Sequence, residues 1–236
     1  MSIPNFDHIA NICSPFVKPL QNEAWAPQHH FRWCIVGPSG SGKTNALLYA
    51  ILYGMKYDRL YLYAKDLTEP KYVFLQKMFN TMEQDEEMDG NLMHVSSTDD
   101  GVIPVDELSK NLQHIVIFDD WVLEKQQAKM IEYWIRGRKR NVSCIYISQN
   151  YFGASGEGIP KVIRLNSNYF SIYNVPSRNQ LIQLCKEHCA SIDFKEFQKL
   201  YADATRDKHD FLFIDKVTNI DMMKFRRNFL GILNDT

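Results

Sequence analysis

Short apolar runs alternate with amphipathic segments along most of the chain. Apolar residues recur at helical spacing in segments 43–54, 70–82 and 124–137, which predicts helices. Strands are predicted for FRWCIV (31–36), RLYLYA (59–64), HIVIFDD (114–120), VSCIYISQN (142–150) and YFSIYNV (169–175). Apolar strands that alternate with helices are typical of a mainly parallel sheet covered on both faces. The predicted fold class is therefore α/β.

The two ends of the chain depart from this alternation. Residues 1–30 contain four prolines and no sustained period, which predicts an extended arm. After residue 175 the pattern predicts helices at 177–189 and 193–203 and a strand, DFLFID. The last segment is basic and amphipathic, and a helix docked on the domain is favoured over a tail that contacts a polyanion. We divide the chain into an arm (1–30), a domain (31–220) and a basic amphipathic C-terminal tail (221–236).

Composition suits one soluble domain. With 236 residues, 45% of them hydrophobic and 23% charged, the chain can form one sizeable core. Its formal net charge of -1 excludes a global positive field that would hold it to nucleic acid or an anionic membrane. No signal-peptide pattern and no run of about 18 apolar residues occurs, so we expect a soluble intracellular protein without membrane insertion.

The five cysteines do not indicate disulfides. Cys34 and Cys144 lie in predicted buried strands, which suits reduced thiols in an intracellular protein. Helical spacing would bring Cys185, His188 and Cys189 together, but a structural zinc site needs four ligands, usually from two such pairs. No second pair is visible, so half-buried helix cysteines are favoured over a metal site.

A glycine-rich stretch, GPSGSGKT, directly follows the first predicted strand and opens a helix. It fits the pattern G-x-x-x-x-G-K-[ST], in which glycines let backbone N–H groups point at phosphate oxygens. The helix N-terminus adds its dipole, Lys43 would contact the β and γ phosphates, and Thr44 would ligate Mg²⁺. We predict ATP and Mg²⁺ binding by Gly37, Ser39, Gly40, Ser41, Gly42, Lys43 and Thr44.

Two later strands end in polar residues that complete such a site. Asp119 ends an apolar strand, where its carboxylate can hold Mg²⁺ through water. Asp120 follows and can orient or deprotonate the attacking water; the alternative makes it the N-cap of the next helix. Gln149 ends a neighbouring strand and can sense the γ-phosphate and the water, or be merely a polar strand end.

The stretch RGRKRN (136–141) places four cations just before a predicted strand. Such a run is usually a solvated turn or a general polyanion patch. Phosphoryl transfer also gains from an arginine inserted by a neighbouring subunit, and such a residue must lie on an exposed turn. Arg138, and after it Arg136, are our candidates for that role.

Together, GPSGSGKT, IVIFDD and GRKRNVSCIYISQN resemble the FtsK–HerA superfamily of P-loop ATPases. The resemblance covers about residues 30–175. Within the superfamily, the chain is most similar to the genome-packaging ATPases of large eukaryotic DNA viruses, of the poxvirus type, and of virophages. It departs from that pattern at Lys139, where histidine is frequent, and in its C-terminal third.

The resemblance implies a RecA-like ATPase that assembles into a homo-oligomeric ring, a pentamer or a hexamer, and pumps double-stranded DNA into a preformed capsid. It implies capsid or vertex proteins as partners and a virus factory or the virion as location. It also assigns Asp119 to magnesium, Asp120 to catalysis and Gln149 to sensing. Candidate DNA contacts are the 151–161 loop with Lys161 and the tail with Lys224, Arg226 and Arg227.

Three other functions remain open from the sequence. One is a HerA-like helicase or translocase, which usually carries further domains. Another is a small-molecule kinase, which would need an arginine-rich lid over two substrates. The third is an inactive subunit that binds nucleotide only to hold an assembly together.

Overall fold

The computed structural model of the protein describes residues 18–85, 91–121, 127–152, 158–175, 177–189 and 192–233. Predictions for the first part of the arm, the start of the 124–137 helix, the middle of the 151–161 loop and the last three residues fall outside these ranges.

The described strands form one nine-stranded sheet. They are β1 Arg32–Val36, β2 Arg59–Ala64, β3 Met93–Ser96, β4 His114–Asp119, β5 Val142–Ser148, β6 Tyr169–Ile172, β7 Leu212–Asp215, β8 Phe225–Arg227 and β9 Gly231–Ile232. Their order across the sheet is β3-β2-β4-β5-β1-β6-β7-β8-β9. Neighbours from β3 to β6 are parallel, and β7, β8 and β9 add antiparallel pairs. The α/β prediction with a mainly parallel sheet is confirmed.

Helices follow most of the parallel strands. They are α1 Lys43–Tyr49, α2 Pro70–Asp85, α3 Ala128–Arg136, α4 Lys161–Asn166, α5 Arg178–His188, α6 Phe194–Ala204 and α7 Asp221–Lys224. A π-helical turn, Ala50–Gly54, extends α1, and a 3₁₀ turn, Gly137–Arg140, joins α3 to β5.

Alternate residues of each central strand enter opposite cores. In β1, Cys34 and Val36 pack on the face covered by α3, α5 and α6, whereas Trp33 and Ile35 pack on the face covered by α1 and α2. This alternation follows from the period of two in a strand, and burial on both faces explains the unbroken apolar runs.

Strand register determines which loops meet. In the parallel part of the sheet, all strands end at one edge, which we call the carboxyl rim, and start at the opposite edge, the amino rim. At the carboxyl rim, Val36 lies opposite Ser148, and Ala64 lies opposite Asp119. The segments after β1, β2, β4 and β5 therefore converge at this rim.

The C-terminal tail is part of the sheet. The helical alternative is wrong for Phe225–Arg227, which forms β8 against β7. The strand is stabilised by Arg226, only 2% exposed, whose Nη1 donates to the carbonyl oxygens of Phe229 at 2.6 Å and Trp25 at 3.3 Å. The Trp25 ring also stacks on Tyr49 of α1 and contacts the Phe229 ring at a tilt, so the described part of the arm and the tail are packed together on the domain.

We expect Arg226→Ala to lower the free energy of unfolding by about 2 kcal/mol, because two carbonyls and the nearby Asp215 carboxylate lose a buried charged partner. Arg227→Ala is the matched control, since Arg227 is more exposed and pairs with Asp207 and Asp210. Arg227→Ala should therefore lower the free energy of unfolding by less than Arg226→Ala does. Urea denaturation followed by circular dichroism measures the free energy of unfolding of both variants. Equal decreases would contradict a stabilising role for the hydrogen bonds by which Arg226 joins the arm and the tail.

Candidate active site

The glycine-rich loop connects β1 to α1 at the carboxyl rim, and its glycines have distinct structural reasons. Gly40 and Gly42 have φ angles of 74° and 106°, a left-handed region that favours glycine. At Gly37 a Cβ would lie 2.5 Å from the Cβ of Tyr173, so a larger residue would displace the loop. The loop is thus shaped by its own sequence and by Tyr173, which follows β6 directly and packs against it.

A surface cleft of about 200 Å³ lies above this loop. It brings together most of the predicted site residues and three others, in a lining of Ser39, Gly40, Gly42, Lys43, Thr44, Glu69, Lys71, Asp119, Asp120, Ser148 and Gln149. Of the remaining predicted residues, Gly37 and Ser41 lie within the loop itself. The Ser41 side chain is buried, and its Oγ has no hydrogen-bond partner among the described residues.

Lys43 bends back over the loop. Its Nζ donates to the carbonyl oxygens of Gly37 at 2.7 Å and Pro38 at 3.0 Å. Burial lowers the pKa of Lys43, while the three carboxylates of the cleft act in the opposite direction. The ammonium group therefore lies among loop carbonyls and acidic side chains at the place where phosphate charge would bind.

Asp119 is the last residue of β4 and is held by a tyrosine. The Tyr72 hydroxyl donates to Asp119 Oδ2 at 2.5 Å. Burial raises the pKa of the Asp119 carboxyl to about 6, although this hydrogen bond acts in the opposite direction. Asp119 and Thr44 both line the cleft.

Thr44 and Asp119 provide the hard oxygen donors that Mg²⁺ prefers. No group of three His, Cys, Asp or Glu side chains in the described ranges could hold a metal ion. A hydroxyl and one carboxylate are nevertheless sufficient when phosphate oxygens and water complete the coordination, as is usual for Mg²⁺. The cleft therefore fits Mg²⁺ bound together with a nucleotide.

Asp120 has a backbone conformation that non-glycine residues seldom adopt. Its φ is 53°, and its N–H donates to the Ile147 carbonyl oxygen at 3.1 Å. Left-handed non-glycine residues are concentrated at functional sites, where the surrounding structure supports the strain. Residues 122–126 lie outside the described ranges, so the N-cap alternative stays untested.

Gln149 contacts the Asp120 side chain directly. Its Nε2 donates to Asp120 Oδ2 at 3.2 Å, and both side chains are exposed in the cleft. Ser148, just before it, accepts a hydrogen bond at its carbonyl oxygen from the N–H of Gly37 at 3.2 Å. The end of β5 thus connects the glycine-rich loop to the paired carboxylate and amide.

Sequence reasoning missed Glu69, Lys71 and Tyr72, which lie around the start of α2. They belong to no contiguous motif. The available signal was topological, because β2 is predicted as a parallel strand and residues after it reach the same rim as Asp119. In the structure Ala64, at the end of β2, pairs with Asp119, so the segment after β2 does reach this rim.

The C-terminal third also supports the loop. His209, in the turn before β7, uses Nδ1 to donate to the Ser41 carbonyl oxygen at 3.1 Å. An added Cβ at Gly42 would lie 3.5 Å from the same nitrogen. The turn before the antiparallel strand β7 therefore buttresses the loop from the side opposite the cleft residues of β4 and β5.

Arg136 and Arg138 lie at the amino rim, away from the cleft of their own chain. The turn that carries Arg138 precedes β5, whose seven residues separate the two rims by roughly 23 Å. Arg136 pairs with Asp106 at 2.5 Å and with Glu132 at 3.8 Å. Arg138 is exposed and has no hydrogen bond or ion pair with another described side chain.

Cys185, His188 and Cys189 are buried packing residues. The His188 ring already uses both nitrogens, one with the Tyr151 hydroxyl at 2.6 Å and one with Lys216 Nζ at 3.2 Å. Burial lowers the pKa of His188 to about 3. Cys34 and Cys144, like the two helix cysteines, are buried free thiols.

The chain matches a known protein family. The model of the family described as "Poxvirus A32 protein" matches residues 22–217. No curated protein gives a significant match. In the part of the chain that the structure describes, no helix has the length and apolar character needed to cross a membrane.

The solved structures include a fold relative over nearly the whole chain. It is the genome packaging NTPase B204 from Sulfolobus turreted icosahedral virus 2. Its complex with ATP-gammaS has 12% identity, a TM-score of 0.55, and coverage of 86% of this chain and 98% of that one. The complex with AMPPCP has 13% identity, the same TM-score, and coverage of 86% and 99%. This likeness shows a shared RecA-like P-loop ATPase fold.

Proposed function

The chain belongs to the poxvirus A32 protein family, and from this premise we propose that it is the ATP-hydrolysing motor that moves double-stranded viral DNA into a preformed capsid. The observation that carries the proposal is the cleft in which the glycine-rich loop, Asp119, Asp120 and Gln149 meet. The packaging NTPase of the same fold was obtained with ATP-gammaS, which supports ATP as the nucleotide here.

We propose a division of labour in ATP hydrolysis. Lys43 and the N–H groups of the loop bind the phosphates, and Thr44 and Asp119 hold Mg²⁺, which would neutralise phosphate charge. Asp120 orients the attacking water and accepts its proton. Gln149, hydrogen-bonded to Asp120, is positioned to link that carboxylate to the γ-phosphate.

Competing functions are less well supported. A small-molecule kinase would need arginines over the nucleotide, but the cations that line the described cleft are Lys43 and Lys71. An inactive assembly subunit would have no use for the Asp120–Gln149 pair. Membership of the packaging family argues against a cellular helicase.

A homo-oligomeric ring completes the proposed site. Since Arg138 is too far from its own cleft, it can act on ATP only from a neighbouring subunit, with Arg136 as second candidate. Several near-neutral subunits around one duplex would also sum weak phosphate contacts. We propose the capsid vertex as docking partner and the virus factory or virion as location.

The candidate DNA contacts are now fewer. Arg226 is buried and Arg227 pairs with two aspartates, so neither is free to contact a phosphate backbone. Lys161 at the start of α4 is exposed, as are other cations at the surface. We retain Lys161 with the 151–161 loop, and Lys224, as proposed DNA contacts.

The function is tested by steady-state ATP hydrolysis with and without long double-stranded DNA, at several salt and protein concentrations. We expect turnover to rise with DNA, to fall as salt competes for phosphates, and to depend steeply on protein concentration because the site needs two subunits. Lys43→Ala is the control for contaminating ATPases. Turnover that ignores DNA, salt and protein concentration would contradict a ring motor.

A further inference from the structure

The Mg²⁺ side of the cleft is supported from below by one buried side chain. Tyr72 lies in the first turn of α2 and has no exposed surface. Its ring packs in the core that also contains Leu75 and Phe79 of the same helix. The backbone N–H of Tyr72 donates to the Glu69 carbonyl oxygen at 2.9 Å, which secures this turn at the start of the helix.

The Tyr72 hydroxyl contacts the carboxylate that would hold the metal. It donates to Asp119 Oδ2 at 2.5 Å. A phenolic O–H is the donor and a carboxylate oxygen the acceptor in such a pair. Burial and the Asp119 charge raise the pKa of Tyr72, and Thr44, a second neighbour of this hydroxyl, lowers it.

This direction of hydrogen bonding suits metal coordination. A carboxylate whose Oδ2 is occupied by Tyr72 retains Oδ1 as an acceptor. Groups behind metal ligands that fix their orientation in this way are a common means of tuning metal affinity.

We propose that Tyr72 is a positioning residue for the Mg²⁺ site, holding the Asp119 carboxylate in the orientation that, with Thr44, binds the metal together with the nucleotide. The inference rests on the proposed function for the identity of the metal and the nucleotide. A tyrosine that merely satisfied a buried carboxylate would affect stability and leave Mg²⁺ affinity unchanged, so the two roles are separable.

The test is Mg²⁺ titration of Tyr72→Phe in the presence of fluorescent mant-ATPγS, with binding read by fluorescence. We expect the Mg²⁺ concentration for half-maximal binding to rise about tenfold, the scale typical of lost support behind metal ligands. Probe affinity in EDTA should stay within about twofold, because the loop and Lys43 are untouched. Excess Mg²⁺ should restore wild-type binding.

Tyr133→Phe is the matched control. Tyr133 is equally buried, and its hydroxyl donates to the Ile103 carbonyl oxygen at 2.5 Å on the other face of the sheet. Tyr133→Phe also removes a phenolic oxygen, but we expect its Mg²⁺ titration to match that of the wild type. If Tyr72→Phe does not fold, Tyr72→p-aminophenylalanine retains a weaker donor and should give a smaller loss of Mg²⁺ affinity.

The possible failures are distinguishable. A wild-type titration that depends on Mg²⁺ together with an unchanged titration for the folded Tyr72 variant would overturn the role of Tyr72 alone. Wild-type binding that ignores Mg²⁺ would overturn the proposed ATP–Mg²⁺ chemistry instead.

Discussion

Asp120→Asn is expected to keep ATP binding while turnover falls by at least about a hundredfold. The amide preserves the size of the side chain and its place beside Gln149 but cannot accept a proton from water. Nucleotide binding depends on the loop and Lys43, so the substitution should leave the dissociation constant nearly unchanged. Single-turnover hydrolysis and equilibrium binding of mant-ATPγS measure the two quantities.

The control for this prediction is Asp203→Asn. Asp203 lies on the exposed surface of α6, pairs with Arg206 and is not part of the cleft lining. It undergoes the same chemical change and should hydrolyse ATP as the wild type does. A general loss of activity in both variants would point to folding rather than to catalysis.

Unchanged turnover in Asp120→Asn would reassign the catalytic carboxylate. Glu69 lines the same cleft and is exposed, in contrast to Asp119, which is held by Tyr72. In that outcome we expect Glu69→Gln, instead of Asp120→Asn, to lower turnover. Glu69 reaches the cleft from the segment after β2, whereas Asp120 follows β4. The two variants therefore test carboxylates at two different positions around the phosphate.

The parts of the site that sequence predicts are those encoded in contiguous stretches. GPSGSGKT contains its own conformational requirements, including the left-handed Gly40 and Gly42. IVIFDD contains a buried strand and the acidic residues at its end. Such stretches carry enough local information for their placement at the carboxyl rim to be inferred from parallel topology alone.

The parts that sequence could not predict depend on distant partners. Tyr72 in an amphipathic helix is an ordinary core residue until the register of β2 and β4 places it under Asp119. FRR was difficult to identify as a strand because Arg226 occupies a buried position. That burial depends on the carbonyl of Trp25, about two hundred residues away in the chain.

Arg138→Ala is expected to lower DNA-stimulated turnover by about a thousandfold while ATP binding and ring assembly persist. An arginine supplied by a neighbour stabilises charge that develops on the transferred phosphoryl group, so its loss affects catalysis more than binding. Lys139→Ala removes an adjacent exposed cation and is the matched control. Turnover, nucleotide affinity and sedimentation are measured for both.

Mixing subunits decides whether Arg138 acts in trans. A Lys43→Ala subunit lacks a working loop but retains Arg138, whereas an Arg138→Ala subunit has the reverse defect. In a ring each interface joins the cleft of one subunit to the amino rim of the next, so only one of the two mixed arrangements restores a complete site. Random equal mixing should therefore recover about a quarter of wild-type turnover if interfaces act independently.

Recovery requires that the two residues meet across an interface, because neither variant contains both in one chain. If a mixed ring forms but turnover does not recover, Arg138 has no catalytic role in trans and belongs to a solvated basic turn.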